Sequence, residues 1–114
     1  MSKRENKLLV ADIIQCFRLI LKYTEGMNYE DFLNSQITCD AVVRNFEIIG
    51  EAAKISSPEF RSDNPKVPWR DFTDFRNKLI HHYFGVYWDI VWDVIQNEIP
   101  AYLDFLETIE EIEP

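Results

Sequence analysis

The sequence predicts an all-α protein, an up-and-down helical bundle of four to five helices with a kink near Pro100. Over several long stretches apolar residues recur at intervals of three and four, the spacing of an amphipathic helix. No stretch alternates apolar and polar residues as a half-buried strand would, and no internal repeat is visible. With 114 residues, 46% of them hydrophobic, the chain suits a single domain spanning residues 1–114.

The first helix is predicted from about Glu5 to Tyr23. Its apolar face consists of Leu9, Ile13, Cys16, Phe17, Ile20 and Tyr23. Gly26 is expected just beyond its end, because glycine accepts the left-handed conformation that commonly closes a helix. A short segment around Tyr29 to Leu33 follows.

A second long helix is predicted next, with three competing N-cap residues: Ser35, Thr38 and Asp40. One face is apolar, with Val42, Phe46, Ile49 and Ala53. The other is charged, with Arg44, Glu47, Glu51 and Lys54. These charges are most simply pairs within the helix, with a secondary possibility that they support a functional site. Gly50 costs the helix about 1 kcal/mol relative to alanine, so we expect a close helix crossing there.

The main loop is predicted between Ser56 and Trp69, where three prolines lie among small polar residues: Pro58, Pro65 and Pro68. A third helix should begin near Trp69 and run to His81 or beyond, with Gly85 marking its end.

The last helix is predicted from about Tyr87. Its apolar stripe consists of Trp88, Val91, Trp92, Ile95, Ile99, Tyr102, Leu106 and Ile109. Pro100 lacks a backbone donor and crowds the carbonyl four residues earlier, so we expect a kink or a break into two helices.

The composition restricts the possible functions. A net charge of -8 argues against a broad basic surface for nucleic acid, so any RNA contact must be local. Residues 98–113 contain acidic side chains but no Lys or Arg, and could meet a basic partner. Cys16 and Cys39 lack metal or redox spacing and suit buried thiols in a reducing cytoplasm. No export signal or membrane span is visible.

The third helix carries the residues best suited to chemistry. On a helical wheel Phe72, Leu79 and Tyr83 face the core, and Arg76 stands at the border of that face. The opposite arc carries Thr73, Asp74, Asn77 and His81. Asn77 precedes His81 by one turn and is close enough to hydrogen-bond its ring.

Arg76 and His81 are five residues apart, roughly 140° around an ideal helix, and so do not share a face. Three arrangements could bring them together. The helix could unwind near His81, Arg76 could reach across, or a second copy of the chain could close the site.

The two side chains suit phosphodiester cleavage. Arginine offers a planar charged fork for phosphate oxygens, and histidine exchanges a proton near neutral pH. On RNA, the His81 imidazole could deprotonate the 2′-hydroxyl while Arg76 stabilises the phosphate charge, with no metal or cofactor. The alternative interpretation is a surface ion pair, a solvated imidazole and a rim tyrosine. His82 lies near Phe75 on the wheel and is expected to be structural.

The third-helix segment also resembles a known family. Residues 40–54, 69–72, 76–86, 91–92 and 96–100 together are similar to the HepT-like ribonuclease domain family of the HEPN superfamily. The family pattern is Arg, four residues, His, any residue and Tyr. It is complete here in Arg76, His81 and Tyr83, with Asn77 as the polar residue that follows the arginine.

The resemblance implies a helical homodimer with a composite cleft, metal-independent RNA cleavage, and the role of toxin in a toxin-antitoxin pair. The implied antitoxin is a minimal nucleotidyltransferase of the MNT type, which transfers AMP to Tyr83 and so blocks the cleft with bulk and negative charge. A competing hypothesis is a catalytically inactive helical module that only docks the nucleotidyltransferase.

Overall fold

A computed structural model of the protein describes residues 1–81 and 87–112, and the side chains of residues 1–80 and 87–109. The helices are α1 (Lys3–Thr24), α2 (Tyr29–Leu33), α3 (Gln36–Ile55), α4 (Pro58–Asp63), α5 (Trp69–His81), α6 (Trp88–Asp93), a π-helical segment (Val94–Glu98) and α7 (Ile99–Ile112). The described residues contain no strand, which confirms the all-α prediction. None of the described helices is long and apolar enough to cross a bilayer.

Capping residues fix the bounds of the long helices. The Ser2 side chain accepts a hydrogen bond from the backbone N–H of Glu5 and starts α1. Of the three N-cap candidates for α3, Ser35 is the one used, since its side chain accepts from the backbone of Thr38. Gly26 has a φ of +76° just past α1, as predicted for a residue that closes a helix.

The continuous loop predicted between Ser56 and Trp69 was wrong, because α4 lies inside it. Pro58 occupies the start of this short helix, and the Ser57 side chain caps it by accepting from the backbone of Phe60. Phe60 is buried, and its ring packs 5.9 Å from that of Trp69. A proline counted as a helix breaker therefore serves as a helix start.

The interruption predicted at Pro100 takes the form of the π-helical segment. The backbone N–H of Ile99 donates to the carbonyl of Val94, five residues back, and α7 continues from there. Because Pro100 has no N–H, the α-helical hydrogen bond to Gln96 cannot form. The wider turn directly before the proline accommodates that missing bond.

Helix α3 lies between α1 and α5 and packs most extensively against both. Helices α1 and α3 run antiparallel, since Asn6 near the start of α1 hydrogen-bonds Ser57 beyond the end of α3. Midway along the pair, the rings of Phe17 and Phe46 lie 6.4 Å apart. The predicted apolar face of α3 is fully buried: Val42, Phe46, Ile49 and Ala53. The buried core thus holds α3 against the helix that carries the candidate residues.

Both cysteines are buried free thiols, as predicted. Burial raises the pKa of the Cys16 thiol and that of the Cys39 thiol. The Cys39 thiol donates to the carbonyl of Phe32 at 3.2 Å, which ties α3 to α2. Both cysteines are therefore structural parts of the core.

Candidate functional site

Helix α5 places its residues largely as the helical wheel predicts. Phe72 and Leu79 are buried in the core, whereas Asn77 is only partly covered. His81 is the last residue of α5. The predictions for the His81 ring, and those for His82, Tyr83 and Gly85, lie outside the described residues.

The predicted close crossing at Gly50 is confirmed. A Cβ atom built on Gly50 would overlap the Cβ and Cγ atoms of Arg76, and would lie 2.9 Å from the backbone oxygen of Phe72. The aliphatic stem of Arg76 therefore rests directly on the backbone of α3. Any larger residue at position 50 would have to displace it.

Two neighbours hold the guanidinium of Arg76. Its Nη2 lies 3.0 Å from Oε2 of Glu51, and its Nη1 donates to Oδ1 of Asn77 at 3.1 Å. The Arg76 side chain is 24% exposed and that of Glu51 50% exposed, so this ion pair is partly shielded from water. The Nε of Arg76 is buried and has no hydrogen-bond partner within the described part of the chain. The guanidinium therefore has a defined position between α3 and Asn77.

The course of α5 bears on the first of the three arrangements that could bring Arg76 and His81 together. Helix α5 remains helical through His81, so it does not unwind between the two residues. The hydrogen bond to Asn77 draws the guanidinium part of the way toward the arc of His81, because Asn77 is roughly 100° around the helix from Arg76. The guanidinium of Arg76 thus lies between Asn77 and Glu51. Asn77 contacts Arg76, a role that the wheel had not indicated.

A groove of about 500 Å³ surrounds Arg76 between α1, α3 and α5. Its apolar wall consists of Leu9, Ile48, Ala52, Ile55 and Ile80. Its other charged residues are Asp12, Arg44, Glu47 and Glu51. Three carboxylates against two cations leave this groove slightly acidic, so it is a poor general site for phosphates. The exposed end of Arg76 is a local exception.

Glu51 is the site residue that the sequence indicated only as a secondary possibility. The within-helix interpretation holds for Arg44 and Glu47, which lie 3.7 Å apart on α3. It fails for Glu51, whose carboxylate crosses to α5 and pairs with Arg76. The signal available was the adjacent Gly50, because a close crossing brings the residue beside it within reach of the facing helix.

The arrangement suits recognition of one anionic group. A guanidinium fixed by a carboxylate and an amide presents its remaining N–H groups in a defined direction, and that planar fork matches a phosphate. Fixing the charge before an anion arrives reduces the reorganisation needed at the moment of reaction.

Comparison with known proteins gives one consistent result. Residues 13–109 match the family described as Ribonuclease HepT-like. The chain is 40% identical over 99 residues to "Probable ribonuclease HepT" of Thermococcus cleftensis, covering 87% of this chain and 90% of that protein. It is 38% identical over 112 residues to "Putative RNase MJ0127" of Methanocaldococcus jannaschii, covering 98% and 90% respectively.

A third relative shows a similar degree of identity. The chain is 43% identical over 88 residues to "Putative RNase TTE0752" of Caldanaerobacter subterraneus, covering 77% of this chain and 79% of that protein. No solved structure matches the chain significantly.

Proposed function

The chain belongs to the HepT-like ribonuclease family, and from that premise we propose that it is a metal-independent RNA endonuclease using Arg76 and His81. The observation that carries this proposal is the fixed guanidinium of Arg76. Arg76 lies on α5, the helix that ends at His81, and its guanidinium is held by Asn77 of the same helix and by Glu51 of α3.

In the proposed reaction, neutral His81 removes the proton from a ribose 2′-hydroxyl, and that oxygen attacks the adjacent phosphorus. The bond from phosphorus to the 5′-oxygen breaks, the leaving oxygen takes up a proton from water, and protonated His81 returns its proton to the solvent. The products are a 2′,3′-cyclic phosphate and a 5′-hydroxyl end. Arg76 stabilises the charge on the non-bridging oxygens, while Asn77 supports Arg76. No step requires a metal or a cofactor.

We further propose that the active form is a homodimer with a composite cleft. Within one chain, Asn77 and Glu51 hold the guanidinium of Arg76, and position 81 lies roughly 140° from position 76 around α5. A two-fold related copy could bring the His81 of one chain to the Arg76 of the other, as isologous interfaces allow. The partly exposed apolar residues beside Arg76, Ile55 and Ile80, suit such a contact.

In the cell, the proposed role is that of a cytoplasmic toxin paired with a nucleotidyltransferase antitoxin of the MNT type. The antitoxin would transfer AMP to Tyr83, two residues beyond His81. An added AMP would bring bulk and negative charge to the cleft and would compete with RNA for Arg76.

The cleavage chemistry is tested with an RNA oligonucleotide incubated with the protein in excess EDTA. We expect cleavage, with products ending in a cyclic phosphate and a 5′-hydroxyl. As a matched control, the same RNA carrying one 2′-deoxyribose on the 5′ side of the cut position should resist cleavage there, since it lacks the nucleophile. Equal cleavage of the substituted strand would rule out attack by the 2′-hydroxyl.

The role of Tyr83 is tested with Tyr83→Phe and a family nucleotidyltransferase supplied with ATP. Wild type should gain one AMP and lose RNA cleavage, whereas Tyr83→Phe should gain none and keep cleaving in the presence of the transferase. Mass spectrometry and a cleavage gel measure both effects. If neither form cleaves RNA under any condition while wild type accepts AMP, the inactive docking module is the better account.

A further inference from the structure

A second groove lies beside the proposed cleavage site and remains unused in the proposed reaction. It has a volume of about 700 Å³ and lies between the end of α3, α4 and the first half of α5. Its cationic residues are Lys54, Arg61 and Arg70. It is a separate feature from the groove around Arg76, which lies on the α1 side of α3.

The charge of this groove differs from that of its neighbour. Three cations face two carboxylates, Asp71 and Asp74, whereas around Arg76 two cations face three carboxylates. In a chain of net charge -8, three of its twelve Lys and Arg residues therefore gather in one place. A local cationic groove is what an acidic protein needs to hold a polyanion.

The three cationic side chains differ in how firmly their neighbours hold them. Arg61 donates from Nη1 to the carbonyls of Ala53 and Ser56, so its charge is fixed at the end of α3. Lys54 is exposed. Arg70 is 93% exposed and lies 3.8 Å from Asp74, a distance at which an exposed ion pair contributes under about 1 kcal/mol. Lys54 and Arg70 can therefore turn toward a ligand at little cost.

The groove and the proposed site share no lining residue, but both are bordered by α3 and α5. On α5, Arg70 and Thr73 precede Asn77 by seven and four residues, so all three lie on one stripe. On α3, Lys54 follows Glu51 by one turn. The distance from Asn77 to Arg70 along the helix axis is roughly 10 Å. A strand with one phosphate at Arg76 would therefore reach the groove within a few nucleotides.

We propose that this groove binds the phosphodiester backbone of the RNA strand that extends from the cleaved phosphate, with Lys54 and Arg70 contacting phosphates. The proposal rests on the proposed ribonuclease function and adds the path of the substrate to it. The groove supplies the local grip on RNA that the slightly acidic surroundings of Arg76 do not.

The test measures binding and cleavage separately on the full chain. Binding of a non-cleavable 2′-O-methyl RNA is followed by fluorescence anisotropy over a range of salt concentrations. The test variant is Lys54→Gln with Arg70→Gln. The control variant is Arg18→Gln with Lys22→Gln, which removes the same amount of charge. These residues lie in the second half of α1, whereas the end of α1 near the groove is the one at which Asn6 contacts Ser57.

We expect the Lys54 and Arg70 double variant to bind about tenfold more weakly near 0.1 M salt. The slope of log affinity against log salt is negative, and its magnitude should fall by about 1.4, because each phosphate contact to a single strand contributes roughly 0.7. The double variant should also lose most of the gain in kcat/KM that wild type shows between a dinucleotide and a longer RNA. The control should match wild type in all three measurements.

Equal salt slopes for the two double variants would refute the proposal that the groove binds RNA. The same conclusion would follow if the Lys54 and Arg70 double variant changed binding and kcat/KM no more than the control variant does. Wild-type cleavage with an unchanged slope refutes only the groove. Loss of binding in the groove variant without any wild-type cleavage refutes only the ribonuclease mechanism. If wild type neither binds nor cleaves RNA, both proposals fail.

Discussion

Arg76 owes its position to residues on two helices. Glu51 approaches from α3, Asn77 lies next to it on α5, and Gly50 leaves room for its stem. The residue proposed to bind the phosphate is thus held in place by residues for which no phosphate contact is proposed. Positions of this kind govern the rate of a reaction through geometry.

Glu51→Gln tests this positioning role. We expect kcat for RNA cleavage to fall roughly tenfold, because small misplacements of a reacting group cost that much or more. KM should not rise, since losing a carboxylate beside Arg76 does not weaken phosphate binding. The free energy of unfolding should fall by less than about 1 kcal/mol, because the ion pair is half-exposed on the Glu51 side.

Glu47→Gln is the matched control. Glu47 lies one turn before Glu51 on the same helix and pairs with Arg44. Steady-state kinetics and urea unfolding should place Glu47→Gln close to wild type. A Glu51→Gln chain with wild-type kcat would show that the ion pair has no positioning role.

Arg76 could be identified from the sequence as a candidate site residue, since an arginine is followed five residues later by a histidine within one predicted helix. The ion pair between Arg76 and Glu51 could not be predicted from the sequence, because the two residues are on different helices and 25 positions apart. Such contacts depend on how α3 and α5 cross. Only Gly50, a costly residue within a helix, indicated where that crossing lies.

At the level of elements, the crossing of α3 and α5 determines the position of Arg76. Gly50→Ala would normally stabilise an isolated helix by about 1 kcal/mol. Here the added methyl group meets the Arg76 stem and the Phe72 carbonyl, so we expect a net loss of about 1–3 kcal/mol. RNA cleavage should fall as well, because the shift moves Arg76.

Gly26→Ala separates the loss of stability from the loss of activity. Gly26 has a positive φ but open space around its Cβ position, so alanine there should cost about 1 kcal/mol without moving Arg76. Urea unfolding and cleavage rates below the unfolding transition are the measurements. If Gly50→Ala unfolds no more easily than wild type, α3 and α5 are not packed as tightly as described.

The long helices were predictable because each buries a continuous apolar stripe. Helix α4 was not, because Pro58 breaks helices in their interior and starts them at their first turn, and only the Ser57 cap distinguishes the two cases. Pro100 indicated an interruption, but its form, a π-helical segment directly before the proline, could not be predicted from the sequence. Periodicity thus predicts elements better than it predicts their junctions.

At the level of the whole molecule, charge is distributed unevenly. A chain of net charge -8 keeps three cations in the groove beside α5 and leaves the surroundings of Arg76 slightly acidic. The net charge predicts only that any contact with RNA is local. It could not place the groove, because Lys54, Arg61 and Arg70 come from three separate helices.

The most direct measurement is RNA cleavage by Arg76→Ala and His81→Ala chains, each assayed alone and then as an equal mixture. Each variant alone should lose at least about a hundredfold in rate when assayed below its own unfolding transition. The mixture should recover activity, because in a mixed dimer one composite cleft receives both intact residues. Inactive single variants without recovery would refute the composite dimer only. Either variant cleaving RNA at the wild-type rate would contradict the central claim that Arg76 and His81 carry out the reaction.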